Sequence, residues 1–270
     1  MKTLKESILS RSSHGAEGFK NQIRNEIEEW LNECKIKNYT INDDFTIDVD
    51  GDIEFYERDI IEFPEYIQFG VVNGLFDCSY CHLKSLRGAP RITKGSFNCS
   101  NNGLISLEGA PEKVGGKFNC SRNKLTTLKD CPKKVGSFLC YDNKLTSLKG
   151  CPVEVDGDFD CKLNNLTSLE GAPEKVGGKF NCSKNKLTTL KGAPKRVEGI
   201  FYCSINNLKD LKGAPKEVGG GFYCSFNNLT SLEGVPKKVE GYFDCSYNKT
   251  KFTKKDVIKV CNINSNCIIV

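Results

Sequence analysis

The chain has 270 residues, of which 38% are hydrophobic, and a formal net charge of +5. That hydrophobic share is low for a globular protein but suits a repeat array, in which each unit buries only a thin set of side chains. No apolar run is long enough for a membrane helix and residues 1–15 lack a hydrophobic signal core, so a soluble, cytoplasmic protein is expected.

The charge is unevenly spread. Residues 1–70 hold 8 Lys+Arg and 16 Asp+Glu (net −8), leaving 31 and 18 of the chain's 39 and 34 for the remainder (net +13). Lys-rich solvated turns account for the basic body more simply than long-range steering of a partner does.

Residues 1–15 are polar and predict a flexible tail, with Thr3-Leu-Lys-Glu6 matching a capping box. Over 16–37, Phe19, Ile23, Ile27, Trp30, Leu31 and Cys34 recur at helical spacing, while Glu26, Glu28, Glu29 and Glu33 lie largely on other faces. An amphipathic helix there would cap the open end of a repeat core, with Trp30 as a packing residue. Residues 38–70 read as a β cap merging into a degenerate repeat. Phe45, Ile47 and Val49 alternate before Asp50-Gly51, a hairpin-turn signal, and Ile60-x-x-Phe63-Pro64 looks like the end of a repeat. Asp48, Asp50, Asp52 and Asp59 match four calcium-loop positions, but Ile53 stands where that loop needs glycine and the flanks are extended. No metal is expected there.

From 71 to 250 about nine copies of one cassette follow, typified by Val135-Gly-Ser-Phe138-Leu-Cys140-Tyr-Asp-Asn143-Lys-Leu145. Its cysteine falls at Cys78, Cys99, Cys120, Cys140, Cys161, Cys182, Cys203, Cys224 and Cys245, in steps of 21 residues apart from one of 20. Three residues later comes an asparagine: Asn102, Asn123, Asn143, Asn164, Asn185, Asn206, Asn227 and Asn248, with Cys81 in that slot in the first copy. Strand alternation puts Phe and Cys on one side, so the cysteines are core hydrophobes of a reduced protein rather than disulfide partners. The asparagines are expected as a buried ladder satisfying backbone groups of neighbouring coils. A proline in nearly every copy denies the following segment a helix and predicts an extended, polyproline-like convex side. Gly-Gly pairs before the phenylalanine predict a small bulge. Residues 251–270 predict a C-terminal cap, with a short helix over Lys254–Cys261 and an edge strand at Cys267–Val270, so that both ends of the array are closed.

The cassette V-x-x-F-x-C-x-x-N-x-L matches the leucine-rich-repeat signature position for position once other apolar residues are allowed. Over residues 60–252 the chain resembles the short bacterial class of leucine-rich repeats, found in secreted effectors and in uncharacterised phage and gut-bacterial proteins. That resemblance implies a curved right-handed solenoid with a parallel concave sheet that holds other macromolecules. Some effectors of the class append a cysteine-dependent ubiquitin ligase domain; about 20 residues follow the last repeat here, so no such domain is expected.

Catalysis finds little support. Only His14 and His82 are available as histidine bases, no phosphate- or dinucleotide-binding glycine pattern occurs, and no cofactor is expected. Cys78 and Cys81 have zinc or redox spacing, yet the repeat explains both. The informative positions are those that the repeat leaves free on the concave strands. The last three repeats place Ile200, Tyr202, Ile205, Tyr223, Phe226, Tyr242 and Tyr247 on one face, a pattern that marks a protein-binding surface or a homodimer seam. The alternative is a purely structural repeat protein whose aromatic ladder rigidifies the sheet. A basic body with exposed aromatics also suits nucleic acid. That reading is disfavoured because many lysines fall on convex turns beside Glu112, Glu174 and Glu217.

Overall fold

The computed structural model describes residues 16–270; the expected tail and its capping box lie outside the described residues. Helix α1 (Ala16–Glu33) buries Ile23, Ile27 and Leu31, one turn apart, against the first coil. Trp30 lies 5.8 Å from the Phe55 ring and 6.3 Å from those of Phe63 and Phe69, closing the end of the core as expected.

The chain then forms an antiparallel pair, β1 (Tyr39–Ile41) with β2 (Ile47–Val49), whose turn lies between them. Asp50-Gly51 is not that turn, contrary to the sequence expectation. It is a corner leading from β2 into β3 (Ile53–Glu54), and these two strands pair in parallel with Phe69–Val72 and Phe76–Asp77 of the next coil. An Asp-Gly step bends the chain equally well between two sheets, and only the neighbouring coil decides which partner each strand finds. The aspartates stitch that junction: Asp48 accepts from Val71 N (2.7 Å), Asp52 from Leu75 N (2.6 Å) and Asp50 from Asn73 Nδ2 (3.1 Å).

Every later coil has two short strands. Its Phe-x strand joins an eleven-stranded sheet that runs from β3 to Ile268–Ile269. The x-Val dipeptide forms a second parallel ladder, in which Val176, Val197, Val218 and Val239 are in register. The Gly-Gly pair is therefore a corner between sheets rather than a bulge, and the second side is partly sheet rather than wholly polyproline-like. At that corner the coils stack glycine on glycine. Gly95 donates to Gly74 O, Gly116 to Gly95 O, and so on to Gly241 on Gly220 O, at 2.6–3.2 Å. A Cβ at Gly95 would sit 2.5 Å from Gly74 O and 2.7 Å from its carbonyl carbon.

The one short coil leaves a visible mark. In most other coils the residue after the valine donates to the strand of the preceding coil, as Gly115 does to Thr93 O and Gly177 to Val155 O. With one residue fewer, Gly136 takes the inner corner position and donates to Gly116 O instead. The valine ladder divides at that point, into five- and six-stranded halves between Lys113–Val114 and Lys134–Val135.

Inside, Phe76 to Phe243 form a column of rings 5.1–5.9 Å apart, tilted by 4–13° except for 36° between Phe138 and Phe159, beside the short coil. All nine are fully buried, which contributes roughly 2–3 kcal/mol each relative to exposure. The asparagine ladder closes each coil. Asn164 accepts from Leu145 N at 3.0 Å and donates to Cys140 O and Cys161 O at 3.1 Å each, and its counterparts from Asn102 to Asn248 repeat this pattern. In the first copy Cys81 donates its thiol to Phe55 O at 2.9 Å. At the C-terminal end α2 (Lys254–Ile258) starts on a Thr253–Asp256 capping box, and Ile268–Ile269 pairs with Phe243–Asp244.

All fifteen cysteines are free, and thirteen are buried. Burial pushes their thiols up, to about 12 for Cys151 and Cys245 and about 11 for Cys261. An unfolded thiol titrates near about 8.5. Above that pH the unfolded state binds fewer protons than the folded one, so stability, full below about pH 8.5, falls as pH rises towards the folded values.

Circular dichroism under reductant should therefore show cooperative unfolding in the alkaline range, as each buried thiol removes up to about 1.4 kcal/mol per pH unit. An unchanged spectrum at pH 11 would contradict the buried thiol column. Gly95→Ala should destabilise by about 2 kcal/mol in urea titration. Gly103→Ala, whose added Cβ has only Leu83 O near it, at 3.8 Å, should stay within about 0.5 kcal/mol.

Candidate partner-binding face

The face of the eleven-stranded sheet turned away from the phenylalanines is built from aligned columns, one residue per coil in each. The residue between Phe and Cys forms the first: Asp77, Asn98, Asn119, Leu139, Asp160, Asn181, Tyr202, Tyr223 and Asp244, each paired in register with its neighbours. In this column Tyr202 and Tyr223 stack at 4.9 Å with a 19° tilt. Burial, with Tyr202 and Asp244 close by, pushes the Tyr223 hydroxyl up, so it remains a neutral donor. Gly221 makes room for this stack, since a Cβ there would come within 2.6 Å of the Tyr223 ring.

A second column follows two residues after each cysteine, and its backbone is left-handed throughout. Tyr80, Asn101, Arg122, Asp142, Leu163, Lys184, Ile205, Phe226 and Tyr247 all have φ between 53° and 58°. Glycine or asparagine adopts this conformation at least cost, and other residues lose roughly 1–2 kcal/mol in it. Only Asn101 and Asp142 are of the tolerant kind, and β-branched Ile205 is the most strained. The strain persists because the neighbouring coils hold the backbone: Ile205 N donates to Ser225 O at 3.0 Å and Phe226 N to Ser246 O at 3.2 Å. The side chains so held project outward. Phe226 and Tyr247 stack at 4.5 Å.

Of the seven residues singled out from sequence, Ile205, Phe226, Tyr242 and Tyr247 are 45–73% exposed, while Ile200, Tyr202 and Tyr223 are half-buried. They occupy three successive coils and form two stacked pairs in adjacent columns.

Two further features escaped the sequence reading. Tyr56 and Tyr80 meet edge-on at 5.6 Å at the opposite end of the face. In mid-array, Tyr141 lies beneath the Lys162 amine (4.9 Å) and beside the Arg122 guanidinium (5.9 Å), and all three line a hollow of about 470 Å³ together with Tyr202. The signal was present in the column after each cysteine. It is serine in every copy from Ser79 to Ser246 except Tyr141 and Lys162, and a break in an otherwise uniform column is where a surface has been altered.

No family model matches this chain, and no curated protein does. Among solved structures, the chain is similar to YopM from Yersinia enterocolitica WA-314, with a TM-score of 0.50 and 21% identity over 69% of this chain. The fold is a leucine-rich-repeat solenoid. The match spans 48% of the YopM chain, about half its length, and at this identity the likeness is one of fold.

Replacing the most strained residue tests whether this column is held for its side chains. Ile205→Asn should keep the thermal midpoint or raise it, by up to about 1 kcal/mol of relieved backbone strain. A loss of several degrees would mean that Ile205 is there to stabilise the coil.

Proposed function

We propose that this chain is a non-enzymatic interaction module that holds a protein partner on its concave face through the aromatic patch at the C-terminal end of the array. The observation that carries this reading is the pair of stacks, Tyr202–Tyr223 and Phe226–Tyr247, presented with exposed Ile205 and Tyr242 on contiguous coils. Rigid aromatic side chains lose little entropy on binding and supply large contact areas, as interface hot spots do. The buried thiols argue against cysteine chemistry, because burial favours the unreactive protonated form. On the resemblance to the short bacterial repeats, the partner is a host protein and the chain a phage or bacterial effector working in the cytoplasm of an infected or host cell.

The competing nucleic-acid reading needs a free basic stripe. The side away from the patch instead ties its cations to glutamates: Arg87–Glu108, Lys191–Glu170, Lys195–Glu174 and Lys212–Glu233 all lie within 2.7–2.9 Å between adjacent coils.

Affinity capture from a host-type lysate tests the proposal, with wild type beside a Tyr202/Tyr223/Phe226/Tyr247→Ser variant at two salt concentrations. A protein retained by wild type and lost by the folded variant is expected. Equal capture by both would sink the patch, nuclease-sensitive material retained only at low salt would favour nucleic acid, and recovery of the chain itself would indicate a homodimer.

A further inference from the structure

The open face is zoned by charge along the axis of the solenoid. Its first two coils present Asp52, Glu54, Glu57 and Asp77, without a cation in the same columns. The coils from Phe118 to Phe180 present Lys117, Arg122, Lys162, Lys179 and Lys184 against Asp142, Asp158 and Asp160. The last three coils carry the aromatic patch, with Asp244 as the one ionised residue of its columns. Acidic, basic and aromatic stretches therefore follow one another along the surface on which a partner would lie.

The basic stretch has a preorganised centre. The Tyr141 ring holds the Lys162 amine and the Arg122 guanidinium beside the hollow, at 4.9 and 5.9 Å from its centroid. Cations fixed on an aromatic ring lose less freedom when an anion arrives. Two have only loose carboxylate neighbours, Arg122–Asp142 at 3.9 Å and Lys162–Asp160 at 3.6 Å, and Asp160 is buried beneath the surface. Exposed Lys184 lines the same hollow without an acidic partner among the described residues. Asn181, Ser183 and Tyr202 also line it.

Resting on the proposed partner-binding role of this face, we infer that the partner is an extended peptide segment whose acidic side chains enter the hollow at Arg122, Lys162 and Lys184 and whose aromatic or aliphatic side chains lie on the patch at Phe226 and Tyr247. Lys162 in the hollow and Phe226 on the patch are three coils apart, from Phe159 to Phe222. At about 4.8 Å per strand that is roughly 14 Å, or four to five extended residues. The acidic first coils repel such a segment and keep it from sliding towards α1, so the zoning sets its register as well as its affinity.

Selection from a displayed library of random twelve-residue peptides tests this, using the full chain as bait at about 0.05 and 0.3 M salt. Enriched sequences should carry Asp or Glu four to five residues from Phe, Tyr, Trp or Leu, in either order. The selected peptide, resynthesised, should lose at least tenfold in affinity against an Arg122/Lys162/Lys184→Gln variant and lose most of its salt dependence with it. Arg122 and Lys184 are exposed and Lys162 is half-buried beside Asp160, so the variant should remain folded at the assay temperature, which thermal unfolding of the same samples reports. Enrichment of aromatics without acids would overturn the inference while leaving the partner-binding face standing, as would equal affinity for the glutamine variant. No enrichment at all would overturn it as well, and the lysate capture then decides separately whether the patch binds a folded partner.

Discussion

The structure depends on the fact that no coil can satisfy its own backbone. Each has two strands of two to four residues and a turn, and its N–H and C=O groups find partners almost entirely in the coils on either side. The asparagine is where this dependence is most concentrated. Its amide accepts from a leucine N–H of the preceding coil while donating to cysteine carbonyls of that coil and its own. A buried side chain that joins two coils by three bonds leaves three groups unpaired when removed, which is why the position admits so little variation. The glycine corner adds a steric condition, since backbones stacked that closely leave no room for a Cβ. Stability is then a sum over neighbours, and the ends must be closed: by α1 and Trp30 at one end, and by α2 and the last strand at the other.

That rigidity is what makes the face usable. A residue such as Ile205 can be kept in a left-handed conformation because ladder bonds on both sides fix the chain around it. The column that results is the least regular in chemistry and the most regular in geometry. Acid, base, aliphatic and aromatic side chains succeed one another there at one per coil, on a spacing set by the sheet rather than by their own preferences. A surface of this kind varies its chemistry without disturbing its frame, because the coils are held together there by backbone bonds and not by the variable side chains.

Much of this was legible in the sequence. The period, the Phe-x-Cys strand, the asparagine ladder, the capping helix and the free cysteines each follow from a residue type recurring at a fixed step, and each is present. The aromatic residues from Ile200 to Tyr247 were legible as one surface because strand alternation alone assigns them a side. Three features were misread. Asp50-Gly51 looked like a hairpin turn, and Gly-Gly like a bulge, because local chemistry specifies a bend but not which sheets it joins. The convex side was read as wholly polyproline-like, since a proline rules out a helix but gives no sign that the valine after it pairs with the next coil. The hollow at Tyr141 went unnoticed because its members, Arg122, Lys162, Lys184 and Tyr202, come from four coils and share no motif.

By itself, then, the sequence determined the repeat, its core and its end caps, since burial in a solenoid is periodic and periodicity is visible in one dimension. Only the tertiary structure decided the second sheet, its division at the short coil, the left-handed column and the order of charge along the face. Those depend on what each residue meets in the coil above and below, about twenty residues away in the chain and one strand spacing away in space.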